Sequence, residues 1–156
     1  MSDRKQIMSN DKSKIATLKS LDLFSRTVFQ KIGVDSKSSD AATRAMLHGS
    51  LHGVDSHGIR LLPHYAQAFE GGRLNKKSKL EITKTNSGTS VLNANNSHGA
   101  VGTYAAIDHG IKSAKENGIA AVVIQNTSHF GPAGAFSKVA ADNGMIGLVF
   151  GNSDSF

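Results

Sequence analysis

Cysteine is absent from the 156-residue sequence, and so is any long run of apolar residues. Without cysteine, the chain has no disulfide framework and no thiol nucleophile. The longest apolar runs, residues 119–124 and 145–150, are far too short to cross a bilayer, so no membrane partner is expected. The N-terminus is polar and carries no apolar signal segment, and we therefore predict a cytoplasmic protein.

Three glycine-containing fingerprints are also missing. The sequence has no G-x-G-x-x-G motif, which marks the usual dinucleotide-binding fold, and no phosphate-binding P-loop. It also lacks the G-x-S-x-G elbow of the α/β-hydrolases. None of these three classes of protein is therefore indicated by a motif.

Positive charge is unevenly distributed along the chain. The formal net charge is +6, and the excess lies in residues 1–19 and 73–84. Neither segment interleaves aromatic side chains that would stack on bases. We therefore interpret both segments as solvated surface, and no nucleic-acid partner is expected.

Hydrophobic periodicity divides the sequence into a disordered leader (residues 1–12), an N-terminal helical region (13–79) and an α/β region (80–156). The helical region contains apolar residues at helical spacing. This spacing predicts a helix from Ser13 that stops at Gly33, a helix over 41–51 capped by Ser38, Ser39 or Asp40, and a helix from Leu61 or Leu62 to Gly71.

The α/β region predicts a mixed sheet with covering helices. Residues 80–83 and 90–92 are expected to form a hairpin around an Asn-Ser-Gly turn. Residues 93–101 are polar and predict a loop, and residues 102–116 predict a helix.

Two short apolar runs, residues 119–124 and 145–150, predict strands buried on both faces. The helix between them, which begins near Ala135, predicts a crossover and a parallel pair. The polar loop of residues 125–134 would lie at the carboxyl end of the first strand, where ligands bind in such units. Because no helix follows to cover the second strand, we expect the chain to be truncated, and an inactive fragment is one hypothesis.

Residues 55–65 combine a hydroxyl, an imidazole, a glycine and a guanidinium directly before a helix. Ser56 and His57 can move or orient a proton, and Arg60 can hold a carboxylate. The N-terminus of the following helix, which Ser56 can cap, also favours an anion. The alternative is structural: a helix cap, a surface histidine and a solvated arginine.

Two further histidines, His48 and His52, are four residues apart, which is metal-ligand spacing on a helix. Together with His57 they support an alternative function, a metal-dependent hydrolase. The glutamate of the zinc-protease motif is missing, because Gly49 occupies its position. We favour the interpretation that these are polar residues at a helix end, and no metal is expected.

Five segments occur in an order and at a spacing that characterise one family. They are residues 55–59 (DSHGI), 62–65 (LPHY), 71–75 (GGRLN), 126–134 (NTSHFGPAG) and 147–153 (GLVFGNS). On these motifs the chain resembles the malate/L-lactate dehydrogenase family, which has a non-Rossmann cofactor fold and includes sulfolactate and ureidoglycolate dehydrogenases. The resemblance runs from about Ser13 to Phe156.

The resemblance implies an oxidoreductase that uses NAD or NADP and acts on small 2-hydroxy or 2-oxo acids, working as a homodimer. It implies that His57, beside Ser56, handles the proton. It also implies that His129 is a second catalytic histidine. The cofactor-binding residues implied by the resemblance are His129, Phe130, Gly131, Pro132 and Ala133.

The sequence departs from the family pattern in two respects. Many members carry an arginine four residues after the catalytic histidine; that position is Leu61 here, and Arg60 precedes it. Chains of the family are also considerably longer. The resemblance therefore implies that this chain is an N-terminal portion and that other residues of the site would lie beyond Phe156.

Overall fold

The computed structural model describes residues 16–151 of the chain. The leader predicted over residues 1–12 lies outside the described residues. Within them, three helices come first, an antiparallel hairpin follows, and the remaining elements alternate as helix, strand and helix. The predicted α/β class, with N-terminal helices and a mixed sheet, is confirmed.

The first two helices are α1 (Leu18–Lys31) and α2 (Ser36–Leu51). Gly33 has a φ of 82°, which a residue with a side chain rarely adopts, and it ends α1 as predicted. The predicted cap of α2 at residues 38–40 is wrong. Asp35 caps this helix, because its Oδ1 accepts a hydrogen bond of 2.7 Å from the backbone N–H of Ser38.

Two short 3-10 turns, Asp55–His57 and Ile59–Leu61, connect α2 to α3 (Leu62–Glu70). Pro63 lies in the first turn of α3, where its missing N–H costs no hydrogen bond, so the predicted start of this helix is confirmed. The prediction that Ser56 caps α3 is wrong, because the second 3-10 turn separates Ser56 from the start of this helix.

The sheet has three strands in the order β1 (Glu81–Asn86), β2 (Thr89–Ser97) and β3 (Ala121–Thr127). The predicted hairpin is confirmed, since β1 and β2 are antiparallel. The loop predicted over residues 93–101 is wrong, because residues 93–97 continue β2 alongside its parallel neighbour β3. Helix α4 (Gly99–Asn117) follows at once and forms the crossover between these two strands.

The predicted parallel pair of residues 119–124 and 145–150 is not formed. The first run pairs with β2, and the second is not a strand. Neither run is buried on both faces: Val123 is 64% exposed and Phe150 is 88% exposed. For the first run, the reason is that α4 covers one face of β2 and β3, and no described residue covers the other face of β3.

Three groups of buried apolar side chains hold these elements together. The largest joins α1, α2 and α3, and it includes Phe29, Met46 and Phe69. A second joins α2 and α4 to α5 (Gly134–Asp142) through Val101 and Phe136. The third packs α4 on the sheet. Among residues 16–151, no helix is both long enough and apolar enough to cross a membrane.

The Asp35 carboxylate ties α2 to the segment before β1, because its Oδ2 also accepts a 2.7 Å hydrogen bond from the backbone N–H of Ser78. Desolvation alone would raise the pKa of Asp35, but the hydrogen bonds from Ser38 and Ser78 outweigh it and hold the pKa below its ordinary value. The stabilisation is therefore present above about pH 4 and is lost as the pH falls through the lowered pKa.

We expect Asp35→Ala to lower the free energy of unfolding by about 1–2 kcal/mol at neutral pH, measured by denaturant titration. Asp35→Asn keeps the cap and should lose less. Asp142→Ala, which removes only an exposed pair with Lys138, is the control and should change stability by at most about 0.5 kcal/mol. Equal denaturation midpoints for Asp35→Ala and wild type would contradict this role.

Candidate active site

The site lies where two parallel strands end. Strand β2 leads into Ser97-His98-Gly99, and β3 leads into Ser128-His129. Because β2 and β3 are parallel neighbours, their carboxyl ends bring the two Ser-His pairs to the same edge of the sheet. The sequence predicted that the loop containing Ser128 and His129 lies at the carboxyl end of a parallel strand. This position is confirmed, although the partner strand is β2.

The turn that carries Ser56 and His57 is held against α2 by close backbone packing. A side chain at Gly49 would overlap the carbonyl group of His57, so glycine is required at that point of the helix. The hydroxyl of Ser50 accepts a 2.8 Å hydrogen bond from the backbone N–H of Ile59. The turn therefore has a defined position relative to the helix.

Within this turn, the hydroxyl of Ser56 lies 2.9 Å from Nδ1 of His57. His57 is half-buried, and its ring centroid is 5.2 Å from that of His129, with the two planes tilted by 44°. The structure therefore brings together the two histidines that the sequence predicted to be catalytic, although 72 positions of sequence numbering separate them.

His129 is held from the other side by Tyr65, whose hydroxyl lies 2.8 Å from Nδ1 of the imidazole. Burial raises the pKa of Tyr65, so the phenol keeps its proton. A protonated phenol can donate this hydrogen bond to Nδ1 of His129. In that arrangement neutral His129 carries its proton on Nε2.

Burial also lowers the pKa of His129, and the nearby His57 and His64 lower it further. A positive charge on His57 therefore disfavours protonation of His129. This arrangement suits a site that exchanges one proton at a time with a ligand.

Two arginines lie near this group of histidines. Arg60, predicted to bind substrate, is exposed on the 3-10 turn just before α3. Arg73 was not predicted; its guanidinium donates toward Nε2 of His64 across 3.2 Å. His64 is close enough to His129 for its charge to affect it, so Arg73 adds positive potential on this side of the site.

The predicted cofactor-binding residues form the loop between β3 and α5. The rings of His129 and Phe130 are nearly parallel, at 17°, and both side chains are half-buried. Gly131 has a φ of 87° and is buried near Ala45 and Tyr65. Pro132, the next residue of the loop, is also buried. The loop thus offers His129, Phe130 and Ala133 to a ligand more readily than the two residues between them.

The geometry does not support the alternative of a metal-dependent hydrolase. The His48 and His52 rings stack at 4.0 Å, and Nδ1 of His52 bonds the carbonyl oxygen of His48. No group of three metal-ligating side chains occurs within residues 16–151. The ligand set of His48, His52 and His57 is therefore not assembled in the described part of the chain.

Two open cavities, of about 560 and 400 Å³, lie elsewhere on the surface. Both are bordered by Arg44 and Tyr104, and neither is lined by His57 or His129. The candidate site is therefore identified by the contacts among Ser56, His57, Tyr65 and His129, and neither of these cavities contributes to it.

Sequence reasoning missed Tyr65, His98 and the pair of His64 with Arg73. Tyr65 lies on the apolar face of α3, where the sequence pattern indicates only a core residue, and it is buried there at 2% exposure. No spacing in the sequence links it to His129, because the contact spans two separate elements. His98 lies within residues 93–101, which the polar composition predicted to be a loop.

Comparison with known proteins gives a consistent result. A family model described as malate/L-lactate dehydrogenase matches residues 16–156. The L-sulfolactate dehydrogenase of Methanothermobacter thermautotrophicus is 30% identical over 129 residues, covering 83% of this chain and 38% of that protein. The ureidoglycolate dehydrogenase of Escherichia coli O157:H7 is 32% identical over 120 residues, covering 76% of this chain and 34% of that protein.

Solved structures agree. The malate dehydrogenase of Entamoeba histolytica matches with a TM-score of 0.80 at 31% identity, covering 84% of this chain and 37% of that chain. The sulfolactate dehydrogenase of Methanocaldococcus jannaschii matches with a TM-score of 0.79 at 29% identity, covering 83% and 38%. The chain spans less than two fifths of the length of these relatives.

The coupling of the two histidines can be tested by titrating His129 with NMR. In the wild-type chain we expect its pKa to lie below the ordinary histidine value of about 6.5. His57→Ala removes the opposing charge and should raise the pKa of His129, although the remaining burial should keep it below the ordinary value. His52→Ala, at an exposed position, is the control. An unchanged His129 titration in His57→Ala would show that the two rings are not coupled.

Proposed function

The chain belongs to the malate/L-lactate dehydrogenase family, and we propose that its site serves hydride transfer between NAD or NADP and a small 2-hydroxy or 2-oxo acid. The relatives are named for malate, sulfolactate and ureidoglycolate, which are all small hydroxy acids. We also propose that the protein is a homodimer, as the family resemblance implies, and that it is cytoplasmic, as the polar N-terminus and the short apolar runs predict.

One observation carries this proposal: the Ser56–His57 pair faces His129, which is held by Tyr65. When bound, a nicotinamide cofactor supplies or accepts the hydride, and the protein must supply or accept the accompanying proton. Two adjacent imidazoles with different hydrogen-bond partners are suited to that task, because their partners give each ring a defined orientation.

His57 is the proposed proton donor and acceptor. With Nδ1–H donating to the hydroxyl of Ser56, the Nε2 atom of His57 can gain or lose a proton while the ring keeps its orientation. Reduction of a ketone leaves negative charge on its oxygen, and Nε2–H would neutralise it; oxidation of the alcohol reverses this step. Ser56 is thus a positioning residue in the proposal, and His129 polarises the same oxygen from the second side.

His129, Phe130 and Ala133 are the proposed cofactor contacts. The nearly parallel, half-buried rings of His129 and Phe130 offer a flat surface that fits a planar nicotinamide ring. Gly131 and Pro132 are buried, so their proposed contribution is to give the loop its shape. The left-handed backbone of Gly131 permits a turn that places Phe130 beside His129.

The first experiment is a substrate screen. The purified protein is offered a panel of 2-oxo acids with NADH or NADPH, and the loss of cofactor absorbance is followed. Turnover of at least one acid supports the proposal. A protein that binds neither nicotinamide cofactor in calorimetry and consumes neither with any acid would contradict it and would favour the hypothesis of an inactive chain.

His57→Asn should lower kcat by about 10²–10⁴ with little change in cofactor affinity, since the variant removes a group that acts on the proton in the transition state. His52→Asn, at an exposed position of the neighbouring helix end, is the matched control and should keep wild-type kcat. Near-normal turnover by His57→Asn would rule out its assigned role.

Arg60 is the proposed anchor for the substrate carboxylate, because it follows His57 by three residues just ahead of the N-terminus of α3. Arg60→Ala should raise KM for the acid about tenfold or more and leave KM for the cofactor unchanged, as expected for loss of a charge-assisted hydrogen bond. Lys84→Ala, on the exposed strand β1, is the control for a lost positive charge. If Arg73→Ala raises KM instead, Arg73 is the anchor and the assignment of Arg60 is wrong.

A further inference from the structure

Ser97-His98-Gly99 connects β2 directly to α4 and lies under the candidate site. His98 is completely buried, with no exposed surface. Its Nδ1 accepts a 3.1 Å hydrogen bond from the backbone N–H of Ala100, so the imidazole caps the N-terminus of α4. A buried histidine in this position is unusual among helix caps and calls for a physical reason beyond the cap itself.

The hydrogen bond to Nδ1 fixes the chemical form of His98. Because Nδ1 accepts, the neutral ring carries its hydrogen on Nε2. Burial lowers the pKa of His98 to about 3, with His129 and His64 contributing, so the ring is neutral at any ordinary working pH. His98 is therefore an uncharged aromatic spacer and takes no part in moving the proton.

The neighbours of His98 are aromatic. The ring of Tyr65 lies 4.2 Å away, edge to face at 88°, and the ring of Phe69 lies 6.1 Å away and nearly parallel. The edge-to-face arrangement is a favourable aromatic geometry, and the short distance shows that the two rings are in direct contact. His98 thus limits the rotation of Tyr65, whose hydroxyl is the group that contacts His129.

Gly99 makes a second connection to the same histidine. A side chain at Gly99 would overlap the backbone of Ser128 and His129, so only glycine lets α4 begin this close to the loop. The backbone N–H of Gly99 also donates a 3.1 Å hydrogen bond to the hydroxyl of Ser128. The start of α4 therefore contacts the main chain of His129 while His98 contacts its hydrogen-bond partner.

We propose that His98 and Gly99 are positioning residues for His129: His98 holds Tyr65 so that its hydroxyl keeps His129 in the Nε2–H tautomer, and Gly99 with Ser128 holds the backbone of His129. The catalytic meaning of this arrangement rests on the proposed function, but the positioning itself does not. This positioning role accounts for the segment Ser97-His98-Gly99, which neither binds substrate nor exchanges a proton in the proposed reaction.

Two substitutions separate the ring of His98 from its cap. His98→Asn keeps a side-chain oxygen that can cap α4 and removes the ring beside Tyr65. His98→Phe keeps an aromatic ring and loses the acceptor for the N–H of Ala100. The readout is the tautomer of His129, obtained from the ¹⁵N shifts of the imidazoles in ¹⁵N-histidine-labelled full chain, with Tyr65→Phe as the reference for a lost hydroxyl.

We expect His98→Asn to convert His129 from a single Nε2–H tautomer to a mixture, as in Tyr65→Phe, and to shift the pH profile of turnover in the same direction. His98→Phe should melt at a lower temperature but retain the wild-type tautomer. A folded His98→Asn with wild-type His129 shifts would overturn the role of His98. If His98→Asn does not fold, a changed tautomer in His98→Phe would overturn it equally, because the cap would then be what matters.

Ser128→Ala tests the second connection, since it removes the acceptor of the Gly99 N–H without adding bulk. Changed ¹⁵N shifts of the His129 imidazole, which is remote from the substituted side chain along the backbone, are expected together with faster hydrogen exchange of the Gly99 amide, and wild-type values of both would overturn this half of the proposal. Absence of dehydrogenase activity would contradict the proposed function and leave these NMR outcomes intact. If the wild-type chain turns over an acid normally but His98→Asn leaves the tautomer of His129 unchanged, the positioning role alone is contradicted.

Discussion

The hydrogen bond between the hydroxyl of Tyr65 and Nδ1 of His129 is the contact on which the candidate site depends. It joins α3, in the helical half of the chain, to the loop after β3, in the α/β half. Burial keeps the phenol protonated, so the hydroxyl of Tyr65 is able to donate to the imidazole. It holds one nitrogen of the ring that His57 faces.

The parallel pairing of β2 and β3 makes that contact possible. Both strands end at the same edge, and both continue into a Ser-His segment. Near this edge the pairing is irregular, and Asn95, Asn96 and Asn126 have positive φ, which asparagine tolerates better than most residues. The side chains of Asn93 and Asn126 bond each other across the two strands at 3.0 Å. The irregular strand ends therefore aim His98 and His129 toward α3.

Much of the fold was predictable because local rules act on neighbouring residues. Gly33 and Gly118 end helices in the left-handed conformation, and Gly88 closes the hairpin turn. The failures came where a distant partner decided the outcome. The bond from Ser78 favours Asp35 as the cap of α2, and β3 extends β2 through residues that looked like a loop. Apolar composition also predicted burial for residues 145–150, but burial depends on what packs against a segment.

By itself the sequence determined the family and the α/β class, because motifs and hydrophobic period depend on neighbouring residues. It also pointed to His57 and His129, whose rings meet in the structure. Only the tertiary structure decided which side chains hold those histidines. Tyr65 and His98 look like core residues in the sequence, and they are buried. Tyr65 contacts His129 across 64 positions and His98 across 33 positions, as read from the residue numbers. Such contacts exist only after the sheet has paired and α3 has packed against its edge.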